Sequence, residues 1–437
     1  IGESGICELM GLGPAHSLDH GVFKDIYQLP AAHYLLYTRG QAMIREYWTL
    51  KDEEHTENEL ETGEHIRYLL QDAIKRQLVA DVPVCTFLSG GLDSSIISAV
   101  AAGEFKKQGR ILDTFSIEYE GNSEFYQAND FQPTPDNAFI ELMSAHIGSR
   151  HHRVILDNHE LAIALNEAMY ANDMPGMADI DSSLYLFCKE VRKHATVALS
   201  GACADEIFGG YPWYVRADLA YEGTFPWSGA VRARPALISP ELNGLNLSEY
   251  VQAKYADSIA KAPINPDRTQ DERKLKELFY LNIKWFMNTL LTRKDRMSMV
   301  TSLEVRVPFA DHRLVQYAFN IPRAFLFYGG REKGMLRSAM HGILPEAILE
   351  RKKSPYPKTF NPEYTACVVS WLNEILNDPS SPILQIVNKQ EIQKIVDTEG
   401  QSFTRPWFGQ LMRCPQLMAY LIQLDLWMRN FNVRVEI

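Results

Sequence analysis

The octet Leu88-Ser89-Gly90-Gly91-Leu92-Asp93-Ser94-Ser95 constrains the fold more than any other part of the chain. It follows the short β-branched run Val82 to Leu88, a buried strand, and leads into Ser94 to Phe105, which has helical spacing. A strand, a tight glycine turn and a helix in that order make a βα unit. The two glycines remove Cβ atoms where the backbone approaches a ligand. The N–H groups at the helix start, helped by the helix dipole, form an anion site. Ser89 and Ser94 add hydroxyl donors. Asp93 would repel a phosphate unless Mg²⁺ stands between them, so it points to a metal. No G-x-x-x-x-G-K-[ST] occurs, which excludes a Walker loop.

The same alternation continues. Ile111 to Tyr119, Arg153 to Leu156 and Ala195 to Leu199 read as further strands; Phe139 to His146 and Leu161 to Tyr170 read as helices. This predicts an α/β fold with a parallel, doubly wound sheet. Residues 120–137, polar and carrying Pro133 and Pro135, read as a long loop. After about residue 210 the pattern becomes largely helical, with long apolar-periodic stretches at Leu275 to Leu291 and Gln416 to Met428. Before the first βα unit, residues 1–48 hold short pieces broken by Gly and Pro, with strands expected at 33–37 and 45–48, like the tail of a β-rich domain. The acidic stretch Lys51 to Glu64 reads as a solvated linker running into a helix that ends near Ala80.

With 44 Lys plus Arg against 55 Asp plus Glu in 437 residues, the net charge is -11. That excludes a general nucleic-acid binder and requires any small anion to find a local site that overcomes the global field. No apolar run is long enough to span a membrane. Six dispersed cysteines without a CxxC pair fit a reduced, cytoplasmic chain. Nothing in the pattern sets the oligomeric state, which leaves a homo-oligomer open.

The S-G-G-x-D-S loop resembles the pyrophosphate loop of ATP pyrophosphatases, which split ATP to AMP and pyrophosphate. Four further segments narrow the likeness: 174–183 (MPGMADIDSS), 199–211 (LSGACADEIFGGY), 293–299 with 303–309 (RKDRMSM and LEVRVPF), and 351–355 (RKKSP). In that order they resemble the synthetase domain of glutamine-dependent asparagine synthetases, over residues 57–437. Residues 1–50 are similar to the last part of that family's N-terminal glutaminase domain, an expected β stub. The likeness implies ATP and Mg²⁺ as cofactors and aspartate, or a related carboxylate, and glutamine-derived ammonia as small-molecule partners. It implies Leu88, Ile117, Ser200 and Gly201 for adenosine; Ser89, Gly90, Gly91 and Ser94 for phosphates; and Asp93 with Asp205 for the metal. Lys353 is expected beside the α-phosphate, and Arg296 facing pyrophosphate or else paired with a neighbour such as Glu304.

Two departures from the family pattern stand out. The chain opens on Ile1, not on the catalytic cysteine of the glutaminase, so no glutamine hydrolysis is expected of it. The family's S-G-E-x-x-D reads Ser200-Gly201-Ala202-Cys203-Ala204-Asp205 here. Ala202 cannot accept a proton or hold an ammonium ion, which implies a chain that binds ATP and adenylates but forms amide poorly. Two other expectations are an ATP-dependent amide ligase for another carboxylate (a cell-wall amino acid, a peptide or a β-lactam precursor) and a nucleotide-binding module without turnover. Met287, Met297 and Met299 read as core, His151-His152 as no zinc site, and Cys203 as structural.

Overall fold

A computed structural model of the chain describes residues 1–17, 20–126, 134–216, 223–242, 244–403, 405–409 and 411–437. The start of the chain differs from the expected β stub. Glu3–Ile6 is helical and Cys7–Leu12 continues it as a π-helix. Ile6, Leu9 and Met10 are fully buried there. The Tyr420 hydroxyl donates to the Leu9 carbonyl at 2.7 Å, and Arg234 donates to that of Gly11. This segment is built into the C-terminal helical half and is buried on all sides, every residue from Gly5 to Leu12 being covered.

Only residues 33–46 keep the β character expected of the stub. Strands β1 (His33–Thr38) and β2 (Gln41–Glu46) form an antiparallel hairpin in which Leu36 faces Met43. The second strand lies earlier than the sequence suggested because Arg39-Gly40, at φ 49° and 79°, forms the two-residue turn. Nearly the whole hairpin is exposed, including Tyr34, Leu35, Tyr37 and Ile44.

Helix α1 (Glu59–Gln77) starts at a capping box between Asn58 and Glu61. It buries Ile66, Leu70 and Ile74 on one face. The segment before it is not a solvated linker throughout. Asp52 is held by Arg268 at 2.8 Å and Lys276 at 2.9 Å, and Tyr317 donates to Glu57. Arg268 and the other partners lie more than 200 residues away, so no local pattern could reveal the pinning.

Strand β3 (Val84–Phe87) then leads into α2 (Leu92–Lys107), β4 (Asp113–Tyr119), α3 (Asn137–Ile147) and β5 (Arg150–Leu156). The expected helix at 161–170 is two helices, Asn158–Ile163 and Leu165–Asn172, broken at Ala164. Helix α4 (Asp179–Val191) begins inside the likeness segment 174–183, for which the sequence suggested no element. Strand β6 (Val197–Leu199) follows, then a short helix, Ala204–Phe208. Gln270–Leu281, a π-helical segment Asn282–Phe286 and α5 (Met287–Met299) run on without a break, longer than the expected 275–291. Strand β7 (Glu304–Arg306), too short for periodicity to register, completes the sheet. Helices α6 (Pro362–Asn377) and α7 (Cys414–Asn430) pack on each other in the C-terminal half.

The five-stranded sheet has the order β5-β4-β3-β6-β7, every pair parallel. The chain winds outward from β3 through β4 to β5, then returns to the other side of β3 for β6. The strand order therefore reverses between β3 and β6, and ligands bind beyond the carboxyl ends of strands at such a point. Alternation along the strands divides the core. Cys85, Phe115, Phe187, Cys188 and Met297 pack on one face, while Val84, Leu199, Ile96 and Ile97 belong to the larger core. Met299 departs from the expected core role and is half exposed. Among the described residues, no helix is long and apolar enough to cross a membrane.

Candidate active site

A cavity of about 270 Å³ opens at the reversal between β3 and β6. Its walls carry seven Lys and Arg (Arg293, Lys294, Lys333, Arg337, Arg351, Lys352, Lys353) against four acids (Asp93, Asp136, Asp205, Glu206). This is the local positive site that an acidic chain needs to hold a polyanion.

The glycine loop forms the floor. Ladder bonding extends beyond β3, with Leu88 N–H donating to Phe115 at 2.8 Å, and beyond β6, with Ser200 N–H donating to Arg306 at 2.9 Å. The loop ends at Gly91, the N-cap of α2, and no side chain caps that helix. Its first-turn N–H groups are thus left for a ligand, and the dipole favours an anion. The Ser89 and Ser94 hydroxyls lie 3.0 Å apart at the same end.

The two loop glycines do different work. Gly90 has φ +68°, and a Cβ there would come within 2.8 Å of the Phe139 and Ile140 backbone. It lets the loop approach α3 and, unlike the other expected loop residues, is absent from the cavity wall. Gly201 lacks a side chain for a similar reason: a Cβ would lie 2.7 Å from Ser94 N. Leu88, Ser89, Gly91, Asp93, Ser94, Ile117, Ser200, Gly201, Ala202, Asp205 and Lys353 all line the cavity, as the sequence led us to expect.

The carboxylates meet through a lysine that the sequence did not single out. Lys333 Nζ is 2.6 Å from Asp93 Oδ2 and 2.6 Å from Asp205 Oδ1. Lys353 Nζ is 2.8 Å from Asp205 Oδ2 and 3.8 Å from the centre of the Tyr211 ring. Burial opposes ionisation of Asp205, but the two ammonium groups outweigh it and hold its carboxyl well below the usual range. Burial dominates at Asp93 and raises it, only partly offset by Lys333. Glu206 is raised to about 7 by burial and by Asp205, and the Tyr211 hydroxyl donates to it. Arg351 reaches the Ser89 carbonyl at 3.2 Å, pairs with Asp136 and lies over the Phe139 ring.

Asp93 Oδ1 is buried with no hydrogen-bond partner among the described residues. An orphaned carboxylate oxygen beside a phosphate-binding loop fits a divalent cation held by two carboxylates and phosphate oxygens. Among the described residues no group of three or more His, Cys, Asp and Glu could hold a metal, so such an ion would depend on its polyphosphate.

Arg296 is placed elsewhere. Its guanidinium is 2.9 Å from Asp173 Oδ2, the side chain is 47% exposed, and it is absent from the cavity wall. At about 100° per residue it points roughly 200° away from Lys294, the neighbour that faces inward. Glu304 pairs instead with Arg306 at 2.7 Å. Arg293, also missed, reaches Asp181 at 2.9 Å and the Ile180 carbonyl at 2.7 Å, tying α5 to α4. Cys203 is buried at φ 77°, and burial pushes its thiol well up, so it is no nucleophile. His151 bonds with Thr114 and Ser116, and burial lowers it to about 4. These residues come from segments too far apart in sequence for spacing to join them; the lysine of Glu332-Lys333-Gly334 gives no local signal beyond its charge.

Gly210 tests the packing of this constellation. A Cβ there would overlap Asp205 Oδ1 and lie 2.5 Å from Lys333 Cε. Gly210→Ala is expected to cost roughly 1–3 kcal/mol of stability, read by thermal melting.

The chain matches the asparagine synthase family over residues 65–429. It is 48% identical over its whole length to glutamine-hydrolyzing asparagine synthetase 3 of Bacillus subtilis (strain 168), spanning 71% of that protein. It is 29% identical to asparagine synthetase 1 of the same organism, over 82% of the chain and 58% of that protein. Against the Gallus gallus asparagine synthetase it is 28% identical, over 67% of the chain and 42% of that protein. The chain thus spans well under two thirds of the last two relatives.

Proposed function

The chain belongs to the asparagine synthase family, and from that premise we propose that its cavity joins the side-chain carboxylate of aspartate to ammonia at the expense of ATP. The first step is attack of a carboxylate oxygen on the α-phosphorus. The bond to the bridging oxygen of pyrophosphate breaks, giving β-aspartyl-AMP. In the second, ammonia attacks the acyl carbon, AMP leaves, and one proton is lost as the amide forms.

The observation that carries this reading is the set Asp93, Asp205, Lys333 and Lys353 at the carboxyl edge of β3 and β6, beside the uncapped start of α2. The α2 N–H groups with Ser89 and Ser94 take the phosphates of the leaving group. Leu88, Ile117, Ser200 and Gly201 wall the adenosine. Lys353 faces the charge that develops at the α-phosphorus. Asp93 and Asp205 would hold Mg²⁺, which supplies charge neutralisation on the pyrophosphate. We further propose residues 57–437 as the synthetase domain, residues 1–50 as the end of a glutaminase domain, and glutamine as the source of the ammonia. A cytoplasmic setting is supported by six free cysteines.

Transfer to a different carboxylate gains no support from relatives that are all named asparagine synthetases. The test is ³¹P spectroscopy of the chain with ATP, Mg²⁺, aspartate and ammonium. AMP and pyrophosphate are expected; ADP and phosphate would exclude the mechanism. Tight ATP binding without pyrophosphate release would favour a regulatory module.

A further inference from the structure

Lys294 is the one lysine or arginine of the cavity wall that is both buried and without a counter-charge among the described residues. It is 8% exposed, and no hydrogen bond or ion pair reaches its Nζ. The other buried cations of the wall are spent: Lys333 and Lys353 on Asp93 and Asp205, Arg293 on Asp181, Arg351 on Asp136, and Arg337 on Glu332 and the Leu349 and Arg351 carbonyls. Lys352 is exposed. The immediate surroundings of Lys294 are a ring and two thiols. Phe87 lies 5.5 Å from its Nζ, and Cys188 and Cys203 are close enough to feel its charge. Burial, reinforced by Arg293, lowers its ammonium to about 8. A buried, unpaired charge is costly unless something pairs with it.

A polyphosphate is not the partner that fits. The loop 89–94 and the Lys333–Lys353 pair serve phosphates at the edge of β3 and β6, whereas Lys294 enters from α5. The cavity lining also holds the apolar Met177, Ile180 and Leu184. An amino-dicarboxylic acid carries one carboxylate to be activated and one to be recognised. The first must stand by Lys353.

We propose that Lys294 binds the second, the α-carboxylate of the acceptor, and so sets the preference for an amino-dicarboxylic acid over a simple ω-amino acid. This rests on the aspartate-activating function proposed above. The buried Arg293–Asp181 pair fixes the turn of α5 that carries Lys294, and the charge-assisted contact forms only when the acceptor is present.

The experiment uses the full chain loaded with ATP and Mg²⁺, with radiolabelled aspartate in equilibrium dialysis, and compares pyrophosphate release with aspartate and with β-alanine, which is aspartate without its α-carboxylate. Lys294→Met should weaken aspartate binding about tenfold or more and erase the preference for aspartate over β-alanine. Lys294→Arg should recover part of both. ATP binding should stay within about twofold, and the melting temperature of Lys294→Met should not fall, because an unpaired buried charge is removed. Unchanged aspartate affinity and an unchanged aspartate to β-alanine ratio in Lys294→Met would overturn the assignment. If the parent chain binds ATP but neither binds aspartate nor releases pyrophosphate with it, the functional reading itself fails, and this inference with it.

Discussion

Lys353→Met should slow aspartate-dependent pyrophosphate release by roughly 10²–10³-fold, about 3–4 kcal/mol of transition-state stabilisation. The ammonium sits 2.8 Å from Asp205 in a partly enclosed cavity, where a fixed charge counts for more than at the surface. Methionine keeps most of the side-chain volume beside Tyr211, over whose ring the Lys353 Nζ lies at 3.8 Å, so folding should be little affected. Asp205 would also keep Lys333 as a partner. Arg296→Ala is the contrast: its exposed pair with Asp173 is worth little, and turnover should stay within about twofold. Single-turnover release of labelled pyrophosphate separates the two. If Lys353→Met retains parental rates, Lys353 is only a counter-ion for Asp205 and the assigned role is wrong.

Restoring a carboxylate by Ala202→Glu should raise amide formation by roughly 10²–10⁴-fold, the usual worth of a placed general base. Ala202 lies on the turn after β6 and lines the cavity, half-buried, so a carboxylate there is placed beside the reacting groups. Ammonia must lose a proton as the amide bond forms, and nothing at Ala202 can receive it. Adenylation needs no such group, so pyrophosphate release should change less than amide formation does. Asparagine measured at saturating ammonium, beside pyrophosphate, decides the matter. No rise in asparagine would mean that another group already does this work, and Glu206, buried next to Asp205 and raised to about 7, would be the residue to examine.

The phosphate loop was legible because its information is local. A β-branched run, two glycines, a serine and a helix start lie within about a dozen residues of one another, and backbone sterics leave few other folds for them. The sequence also announced the alternation that produced β3 to β6. It failed where the decisive partner was distant or the element short. Strand β7 has three residues, α4 begins inside a motif that carries no helical signal of its own, and the N-terminal helix shows its purpose only against Tyr420 and Arg234. Arg296 and Lys353 both stood in basic clusters, and composition could not tell them apart. Helical phase turned Arg296 out to Asp173, while the cavity drew Lys353 inward.

The sequence by itself therefore determined the sheet type, the anion site and the family, since each follows from residues adjacent in the chain. Only the tertiary structure decided which charges are spent and which remain free. Lys333 bridges Asp93 and Asp205, from which it is separated by more than a hundred residues. Among the described residues, Lys294 is left with no counter-charge in the cavity wall. Whether a lysine is a counter-ion or a vacant anchor depends on what folding brings within about 4 Å of its nitrogen, because charge pairing acts through space and at that short range.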